Sequence, residues 1–518
     1  MSSRFSISRV MGLCMILALA VISSCEGPKQ TRQSSEVENE IAGFGGNTVL
    51  DSIEGGTISG GGQVSSPNQV LKDFGFVGGG KGNTAGNLST VGGGDGNSAE
   101  GIRATIGGGA KNVASKNSAV VAGGYSNVAS QSYSTVGGGK VNTVDASYAT
   151  ISGGAGNLAL GRISTIGGGT RNQTQSAYAT VGGGSFNLAS GGTSTIGGGT
   201  RNQTAGIGAT IGGGAGNIST GLQSVVAGGL VNQTTDNYSA VAGGRQNIAG
   251  NGNDDSADTP YASVSGGYGN QAGGAYSVVP GGFENQALGD FSFAAGNQAY
   301  IASQHPGVFL FADSSDALFE SSSPNEFAAR ATGGVRFVTA LDENGEPLVG
   351  VRLSPGSGSW ETLSDRNAKM SIRPVDERQI LEKLMGMSVS TWQYKGQSEV
   401  VPHIGPMAQD FYAAFGMGRD EHYISSVDAD GVALASVQGL YQLVQEKDAR
   451  IAALEKQTTD QEKRLDDFES RLTNLEKGNS QLPSQPYGLW FGITSLIISL
   501  VVGRFLSVPN RLSNRFKL

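Results

Sequence analysis

The sequence predicts a mainly β protein, with a β-roll or solenoid of 15-residue repeats, a small α+β domain, a coiled coil and a C-terminal transmembrane helix. Three observations predict this fold class. One sequence motif occurs 14 times between Val77 and Asn285. It consists of an apolar residue, glycines two and three residues after it, and an asparagine six residues after it. From Thr362 the amino-acid composition becomes typical of a globular domain, and a heptad pattern follows it. Finally, the run from Tyr487 to Gly503 carries no charge.

The repeat has a fixed period, which is typical of a solenoid. The β-branched stretch before the glycines indicates a short, half-buried strand, and the glycines permit a tight corner. The asparagine can bond to the backbone or to its neighbour one coil away, forming a ladder. Two strands and two turns therefore make one coil. Eleven consecutive copies keep a spacing of 15 residues and begin at Val91, Ile106, Val121, Val136, Ile151, Ile166, Val181, Ile196, Ile211, Val226 and Val241.

Each unit has one strong hydrophobe beside small Ala, Thr or Ser residues. A single stack of such coils would bury little apolar surface, at about 25 cal/mol per Å². We therefore expect other chains to pack against the Val/Ile edges. Over about residues 75–300 the repeats resemble the heads of trimeric autotransporter adhesins. That resemblance implies a left-handed β-roll and a homotrimer.

Composition excludes several classes of function. The chain has 518 residues, 84 glycines and a net charge of -8, which gives no general electrostatic footprint for nucleic acid. The two cysteines, Cys14 and Cys25, lie near the N-terminus, so the body has no disulfide framework. The three histidines are scattered. No metal and no cofactor are expected.

The N-terminus predicts export. Arg4 and Arg9 precede the apolar run 10–22, and small residues follow it, as in a secretory signal over residues 1–25. The end of this segment resembles a bacterial lipobox, which implies lipidation of Cys25. An ordinary signal peptide or an uncleaved anchor stays open. Residues 26–74 are expected to form a tether and an N-terminal cap.

The C-terminus predicts a membrane helix over residues 487–507 and a basic cytoplasmic tail over 508–518. The 17 uncharged residues would span about 25 Å, the short end of a membrane crossing. An amphipathic helix or one buried in an oligomer is the alternative. The location expected from both ends is the bacterial envelope, with the body exported and anchored at the surface.

Two domains are predicted between the repeats and the coiled coil. Larger hydrophobes alternate within residues 301–361, which favours a small β cap or neck that closes the solenoid. Residues 362–440 look like an α+β domain, in which Asp376 can cap a helix with Ile380 and Leu384 on its apolar face.

Residues 440–478 show a heptad, which predicts a coiled coil. Polar Thr458 and Gln461 lie in the middle of the seam. One seam position holds Val444, Ile451, Thr458, Leu465 and Leu472, and the other holds Leu440, Lys447, Leu454, Gln461, Phe468 and Leu475.

The ordered motifs from residue 363 resemble a known module. They are the segment 363–369 (LSDRNAK), a helix, a Trp-containing strand, then 403–405 (HIG) and 408–410 (AQD) before the coiled coil. This order resembles the intramolecular chaperone auto-processing domain of phage endosialidase tailspikes and of the myelin regulatory factor family. Over about residues 362–460, the resemblance implies a domain that trimerises its client and then cuts itself off.

The resemblance also implies the residues that carry the reaction. Ser364 would be the nucleophile, Lys369 its base and His403 a group needed for processing, with the scissile bond at Leu363–Ser364. A serine hydroxyl needs an adjacent base, and a lysine serves as one only where desolvation or nearby charge favours its neutral form. An inactive copy that only trimerises remains an alternative, because a serine and a lysine five residues apart occur by chance in most proteins. Asp365, where some relatives carry Asn, and Pro406 depart from the family pattern and would slow processing without changing the fold.

Two functions follow as hypotheses, and both involve a homotrimer at a membrane. The first is a cell-surface fibre whose C-terminal module is a trimerisation chaperone and a single-turnover serine endopeptidase acting on itself. The second is a structural, adhesin-like protein without proteolysis, anchored permanently through its C-terminal segment. A glycan-degrading enzyme is disfavoured because the repeats are poor in Asp and Glu. The outer face suits a surface glycan or matrix ligand.

Overall fold

The computed structural model describes residues 30–32, 37–253, 255–397 and 400–478. The predicted signal segment 1–25 and the predicted membrane helix 487–507 lie outside these residues. Within them, no helix combines the length and apolar character that a membrane crossing requires. The described chain forms two compact units. The first runs through the solenoid to Phe337 and includes Arg352–Glu361, and the second contains Val338–Val351 and the chain from Thr362.

The repeat region is a β-solenoid of about 19 coils, as predicted. Each coil has two short strands, and each strand pairs in parallel with its counterpart one coil on. The first strands are Asn39–Ile41, Thr57–Ile58, Phe76–Val77, Thr90–Val91, Thr105–Ile106, Val120–Val121, Thr135–Val136, Thr150–Ile151, Thr165–Ile166, Thr180–Val181, Thr195–Ile196, Thr210–Ile211, Val225–Val226, Ala240–Val241, Ser263–Val264, Val278–Val279, Phe293–Asn297, Phe309–Ala312 and Phe327–Arg330, with Gly282–Phe283 beside them. The second strands are Thr48–Val49, Gln69–Val70, Thr84–Ala85, Ser98–Ala99, Val113–Ala114, Val128–Ala129, Thr143–Val144, Leu158–Ala159, Gln173–Thr174, Leu188–Ala189, Gln203–Thr204, Ile218–Ser219, Gln233–Thr234, Ile248–Ala249, Gln271–Ala272, Gln286–Ala287, Ala299–Ile301 and Phe319–Glu320.

The solenoid buries its Val/Ile column within one chain, so the expectation that other chains must cover those edges is wrong. Val181 and Ile196 point into the coil and are 0% exposed. The second strand of each coil turns a small residue inward, such as Ala189 or Thr204, which lets the two walls close around the larger side chains. A repeat with one large hydrophobe therefore forms a narrow core, and burial of each Val or Ile contributes about 1.5–3 kcal/mol to the free energy of unfolding.

The predicted asparagine ladder is present and buried. The Asn187 backbone N–H donates to Asn172 Oδ1 at 3.0 Å, and Asn187 Oδ1 accepts from the Asn202 N–H at 3.0 Å. Its side-chain amide donates to the Gly183 and Gly199 carbonyls at 2.9 and 3.0 Å. The side chain thus satisfies backbone groups in its own coil and in the next, and the Asn187 N–H links the residue to the preceding coil.

The glycine corner has the two properties that the sequence predicted. Gly184 has a φ of +82°, which favours glycine, and a Cβ there would lie 2.0 Å from the Gly199 carbonyl oxygen. Close stacking of the coils requires a residue without a side chain at this position.

The coils extend beyond the regular repeat at both ends and tolerate one insertion. They begin at Asn39 and continue to Arg330. The last coils lack the glycine motif but still turn apolar residues inward. The ladder crosses the insertion directly, since the Asn270 N–H donates to Asn247 Oδ1 at 3.0 Å. The described inserted residues, 250–253 and 255–260, therefore lie outside the ladder.

An ion pair stabilises the last coils. Arg330 Nε donates to Asp313 Oδ1 at 2.9 Å. The hydroxyl and backbone N–H of Thr332 donate to the other carboxylate oxygen at 2.6 and 2.7 Å. The Thr332 hydroxyl is the main reason that the pKa of Asp313 lies well below its usual value.

Replacing one ladder residue tests how much the ladder stabilises the coils. Asn187→Ala leaves the Asn202 N–H and the Gly183 and Gly199 carbonyls without this partner. Each such group costs about 1–3 kcal/mol, so we expect a local loss of at least about 3 kcal/mol. Because repeat arrays open locally, the measurement is amide hydrogen exchange in the coils around residue 187. Thr195→Ala, on the outer face of a first strand, is the matched control, and equal exchange in both variants would contradict the ladder's role.

Beyond the solenoid lie a three-stranded sheet and a helical domain. The sheet consists of β1 (Val335–Leu341), β2 (Pro347–Leu353) and β3 (Trp360–Thr362), and a 3₁₀ turn (Arg366–Ala368) follows it. Next come α1 (Glu377–Gly386), β4 (Ser390–Trp392), β5 (His403–Gly405), α2 (Ala408–Phe415) and α3 (Ser426–Gly478). The β4 and β5 strands pair antiparallel.

The helical domain has its own small core. Ile380, Phe411, Val432 and Ala435 bring together α1, α2 and the first turns of α3. The predicted N-cap of α1 is confirmed, because the Asp376 side chain accepts from the Gln379 N–H at 3.0 Å. The three helices are thereby packed together.

Candidate active site

The predicted nucleophile and base are in contact. Lys369 Nζ donates to Ser364 Oγ at 2.6 Å, which lies within the reach that a nucleophile and its base require. Both side chains are exposed in the single chain. The structure therefore pairs two residues that the sequence had related only by a family motif.

A 3₁₀ turn brings these two residues together. The Asp365 side chain accepts from the Asn367 N–H at 2.9 Å and caps the turn at Arg366–Ala368. The Lys369 N–H closes the turn by donating to the Arg366 carbonyl. This compact turn folds the lysine side chain back to the serine, five residues earlier.

The bond predicted to be cut lies between two fixed pieces of backbone. On its N-terminal side, Leu363 follows β3 directly, and its N–H donates to the Gly350 carbonyl at 3.0 Å. On its C-terminal side stands the capped turn. The carbonyl of Leu363 and the hydroxyl of Ser364 are therefore held at the junction of a strand and a turn.

His403 lies in a separate aromatic cluster. Its ring stacks on Trp392 with centroids 4.7 Å apart, and Tyr394 meets it edge-on at 5.5 Å. Its Nε2 is 3.0 Å from Gln397 Nε2. The Trp392 indole N–H is buried and has no partner among the described residues.

Among the described residues, no recorded hydrogen bond or ring contact of His403 reaches Ser364 or Lys369. The structure thus brings together two of the three predicted catalytic residues. The part of His403 in the reaction remains a prediction. Cys25, the predicted lipidation site, lies outside the described residues.

Two close contacts hold α1 against the first part of α3. Arg378 pairs with Glu446 at 2.9 Å across the two helices. Gly439 is buried, and a Cβ there would lie 2.4 Å from the Glu377 carbonyl oxygen, so the helices approach closely. The first turns of α3 are packed against α1 and α2, whereas the heptad region beyond them exposes its apolar residues.

Sequence reasoning missed the residues that arrange the site. Asp365 was noted only as a departure from some relatives, yet the D-x-N pattern is a signal for a side-chain-capped turn. Trp392 and Tyr394 alternate at the end of β4, so they could be placed on one face, although their contact with His403 depends on the pairing of β4 with β5. The described residues contain no group of acidic, His or Cys side chains suited to hold a metal.

Replacing the cap tests whether the turn positions Lys369. Asp365→Ala removes the acceptor for the Asn367 N–H, and loss of such a cap costs about 1 kcal/mol. We expect the predicted self-cleavage to become about fivefold slower, whereas Asp365→Asn retains an acceptor and should cut at nearly the parent rate. The rate is measured by intact mass over time. Equal slowing in both variants would show that the carboxylate charge matters and the cap does not.

Comparison with known families agrees with this geometry. Residues 364–417 match the sequence model of the family described as chaperone of endosialidase. The match begins at Ser364 and includes Lys369 and His403. A search of curated proteins found no relative of the chain. The module at residues 364–417, which follows a long β-solenoid, therefore belongs to the chaperone-of-endosialidase family.

Proposed function

We propose that this chain is a trimeric surface fibre whose C-terminal module assembles it and then cuts itself off between Leu363 and Ser364. The observation that carries the proposal is the 2.6 Å contact between Lys369 Nζ and Ser364 Oγ, at the first residue of the family match. The solenoid would be the fibre, and the chaperone domain with α3 would be the part removed.

The reaction needs only residues of this chain and one water. Ser364 Oγ attacks the carbonyl carbon of Leu363 while its proton passes to the neutral amine of Lys369. The C–N bond breaks, which leaves an ester on Ser364 Oγ and a free Ser364 amine that takes the proton back. Water then hydrolyses the ester, giving a Leu363 carboxylate and a Ser364 N-terminus.

Assembly would couple folding to cutting. In the single chain Ser364 and Lys369 are exposed, and so is the apolar side chain of Met370, the next residue along the chain, at 89%. Packing three chains together would remove water from this surface, which favours a neutral lysine. Cleavage would then occur only after the trimer has formed.

The apolar seam of α3 supports the trimer. In the single chain, the seam residues Ile451 and Leu454 are 51% and 47% exposed. A helix of 53 residues whose apolar positions recur in heptads is stabilised by winding around copies of itself. We propose that α3 forms a three-stranded coiled coil.

The fibre would belong to the cell envelope. We propose that residues 1–25 direct export, that Cys25 is lipidated, and that residues 487–507 hold the immature trimer in the membrane until it is cut. The released fibre would remain tied through Cys25. An N-terminal peptide without a lipid on Cys25, or a fibre recovered wholly from the cytosol, would contradict this location.

The alternative function is a structural adhesin that trimerises without proteolysis. The exposure of Ser364 and Lys369 in the single chain favours it, because a hydrated lysine is a poor base. Intact mass and native mass of the purified full-length chain separate the two functions. We expect a trimer with a new N-terminus at Ser364, whereas an uncut trimer would support the adhesin alone.

A further inference from the structure

One corner of the solenoid carries a row of exposed lysine and arginine side chains. It is the corner that follows the glycines of each coil, and successive residues there are joined by parallel backbone bridges. We call its cations the basic ridge: Lys111, Lys140, Arg171, Arg201 and Arg245.

The ridge is positive in a chain whose net charge is -8. Among the described residues between 96 and 283, no acidic residue occupies this corner, and Asp95 and Glu284 bound this stretch at the same corner. The acidic residues of the coils in that stretch, such as Glu100, Asp145 and Asp236, lie in the opposite turn or in the insertion that extends it. Within this stretch the corner after the glycines carries positive charge alone, whereas the opposite turns carry both signs, including Arg103 and Lys116.

Aromatic rings separate the cations. Lys111 and Lys140 lie over the ring of Tyr125, at 5.7 and 5.9 Å from its centroid. The guanidinium groups of Arg171 and Arg201 lie at 5.3 and 5.8 Å from the ring of Phe186. Such cation–π contacts hold a charge in place without neutralising it.

The cations are free to bind an anion. All five are exposed, and within the described part of the chain none of them forms an ion pair. The Lys111 ammonium, through its hydrogen bond and its charge, lowers the pKa of the Tyr125 phenol, consistent with a positive potential along this corner.

The spacing of the ridge is regular. From residue 111 to residue 201 a cation occurs on every second coil, so neighbours are about 10 Å apart, twice the strand spacing. Arg171 and Arg201 have left-handed backbone, with φ of 54° and 55°. Lys111 shares this position, whereas Lys140 and Arg245 stand one residue earlier in the corner, so the cations form a narrow, staggered row.

We propose that the basic ridge binds a linear acidic polysaccharide along the solenoid axis. A single row of cations on a convex corner matches one extended chain whose carboxylates or sulfates recur at intervals, and guanidinium groups bind such oxyanions through two parallel hydrogen bonds. Duplex nucleic acid presents two phosphate strands, and a bilayer presents a broad plane, so each would touch little of this narrow corner. The inference rests on the proposed fibre function and supplies its ligand.

The test measures binding on the full-length chain carrying Ser364→Ala, so that cleavage cannot affect the result. The probes are heparin, neutral dextran, duplex DNA, and vesicles of phosphatidylcholine with phosphatidylserine. The ridge variant carries Lys111→Gln, Lys140→Gln, Arg171→Gln and Arg201→Gln. The control variant loses the same charge from the opposite turns, by Lys72→Gln, Arg103→Gln, Lys116→Gln and Arg162→Gln.

We expect heparin to bind the parent chain, dextran not to bind, and the ridge variant to bind heparin at least about tenfold more weakly. The control variant should stay within about twofold of the parent, because it keeps the row intact. Hydrogen exchange in the coils must be equal in both variants, which excludes unfolding.

Three outcomes would overturn the proposal: no heparin binding by the parent, equal losses in the two variants, or tighter binding of DNA or vesicles than of heparin. The last would assign the ridge to nucleic acid or to a membrane. Failure of the fibre proposal is detected separately, by intact mass of the chain that retains Ser364.

Discussion

Ser364→Ala is expected to abolish self-cleavage and leave a full-length trimer. The hydroxyl is the only atom of Ser364 that can attack the Leu363 carbonyl, and Lys369 Nζ lies 2.6 Å from it. Removing one member of a nucleophile–base pair commonly lowers the rate by several orders of magnitude, so no fragment should form on the time scale of the parent reaction. Intact mass spectrometry of the purified chain measures the outcome.

Two further variants identify the base. Lys369→Met removes the amine while keeping most of the side-chain volume, and cleavage should be lost as completely as with Ser364→Ala. Lys395→Met is the matched control, because this exposed lysine in the loop between β4 and β5 makes no recorded contact with Ser364. Continued cutting by Lys369→Met would assign the base elsewhere, and His403 would be the next candidate.

The oligomeric state of the uncut variant separates the two activities proposed for the module, which are trimerisation and self-cleavage. We expect Ser364→Ala to remain trimeric, since the apolar seam of α3 and the helical core around Ile380 do not involve the hydroxyl. A monomeric Ser364→Ala chain would show that cleavage precedes assembly, contrary to the proposed order.

The solenoid could be predicted closely from sequence because its interactions are local and repeated. The spacing of Val181 and Ile196 fixes the coil length, and Asn187 fixes the ladder. What the pattern could not show was the direction of the Val/Ile column. A strand of two residues turns only one side chain inward, so each coil needs only one large hydrophobe. The small residues of the opposite strand then enclose that side chain, which a count of hydrophobes per repeat does not reveal.

The candidate site was predictable in its residues and less so in its arrangement. The family motif pointed to Ser364 and Lys369, and their contact depends on a turn capped by Asp365, which is a local feature. His403 depends on strand pairing and on the aromatic cluster around Trp392, which are contacts between distant parts of the chain. Such contacts follow from the whole domain and leave a weaker trace in sequence.

Ile451→Asp with Leu454→Asp is expected to abolish both the trimer and the cleavage. These two side chains are about half exposed in the single chain, so each can still bury roughly half of the 1.5–3 kcal/mol that a fully buried residue contributes. Over three chains and two positions the sum is about 4.5–9 kcal/mol, and six carboxylates in the seam would add repulsion.

The control places the same charges on the outer face of the same helix. Ala449→Asp with Ala452→Asp lowers helix propensity at two exposed positions and leaves the seam intact, so the chain should stay trimeric and cut itself. Native mass gives the oligomeric state, and intact mass gives the cleavage.

The seam variant also tests whether assembly controls the chemistry. Ser364 and Lys369 lie within one chain and should keep their contact in the monomer, so geometry alone would predict cutting. If cleavage requires the neutral lysine that desolvation in the trimer favours, the monomer stays uncut although its dyad is complete. A monomer that cuts itself at the parent rate would show that the dyad acts within one chain, and the module would then cut without first testing that the fibre has assembled.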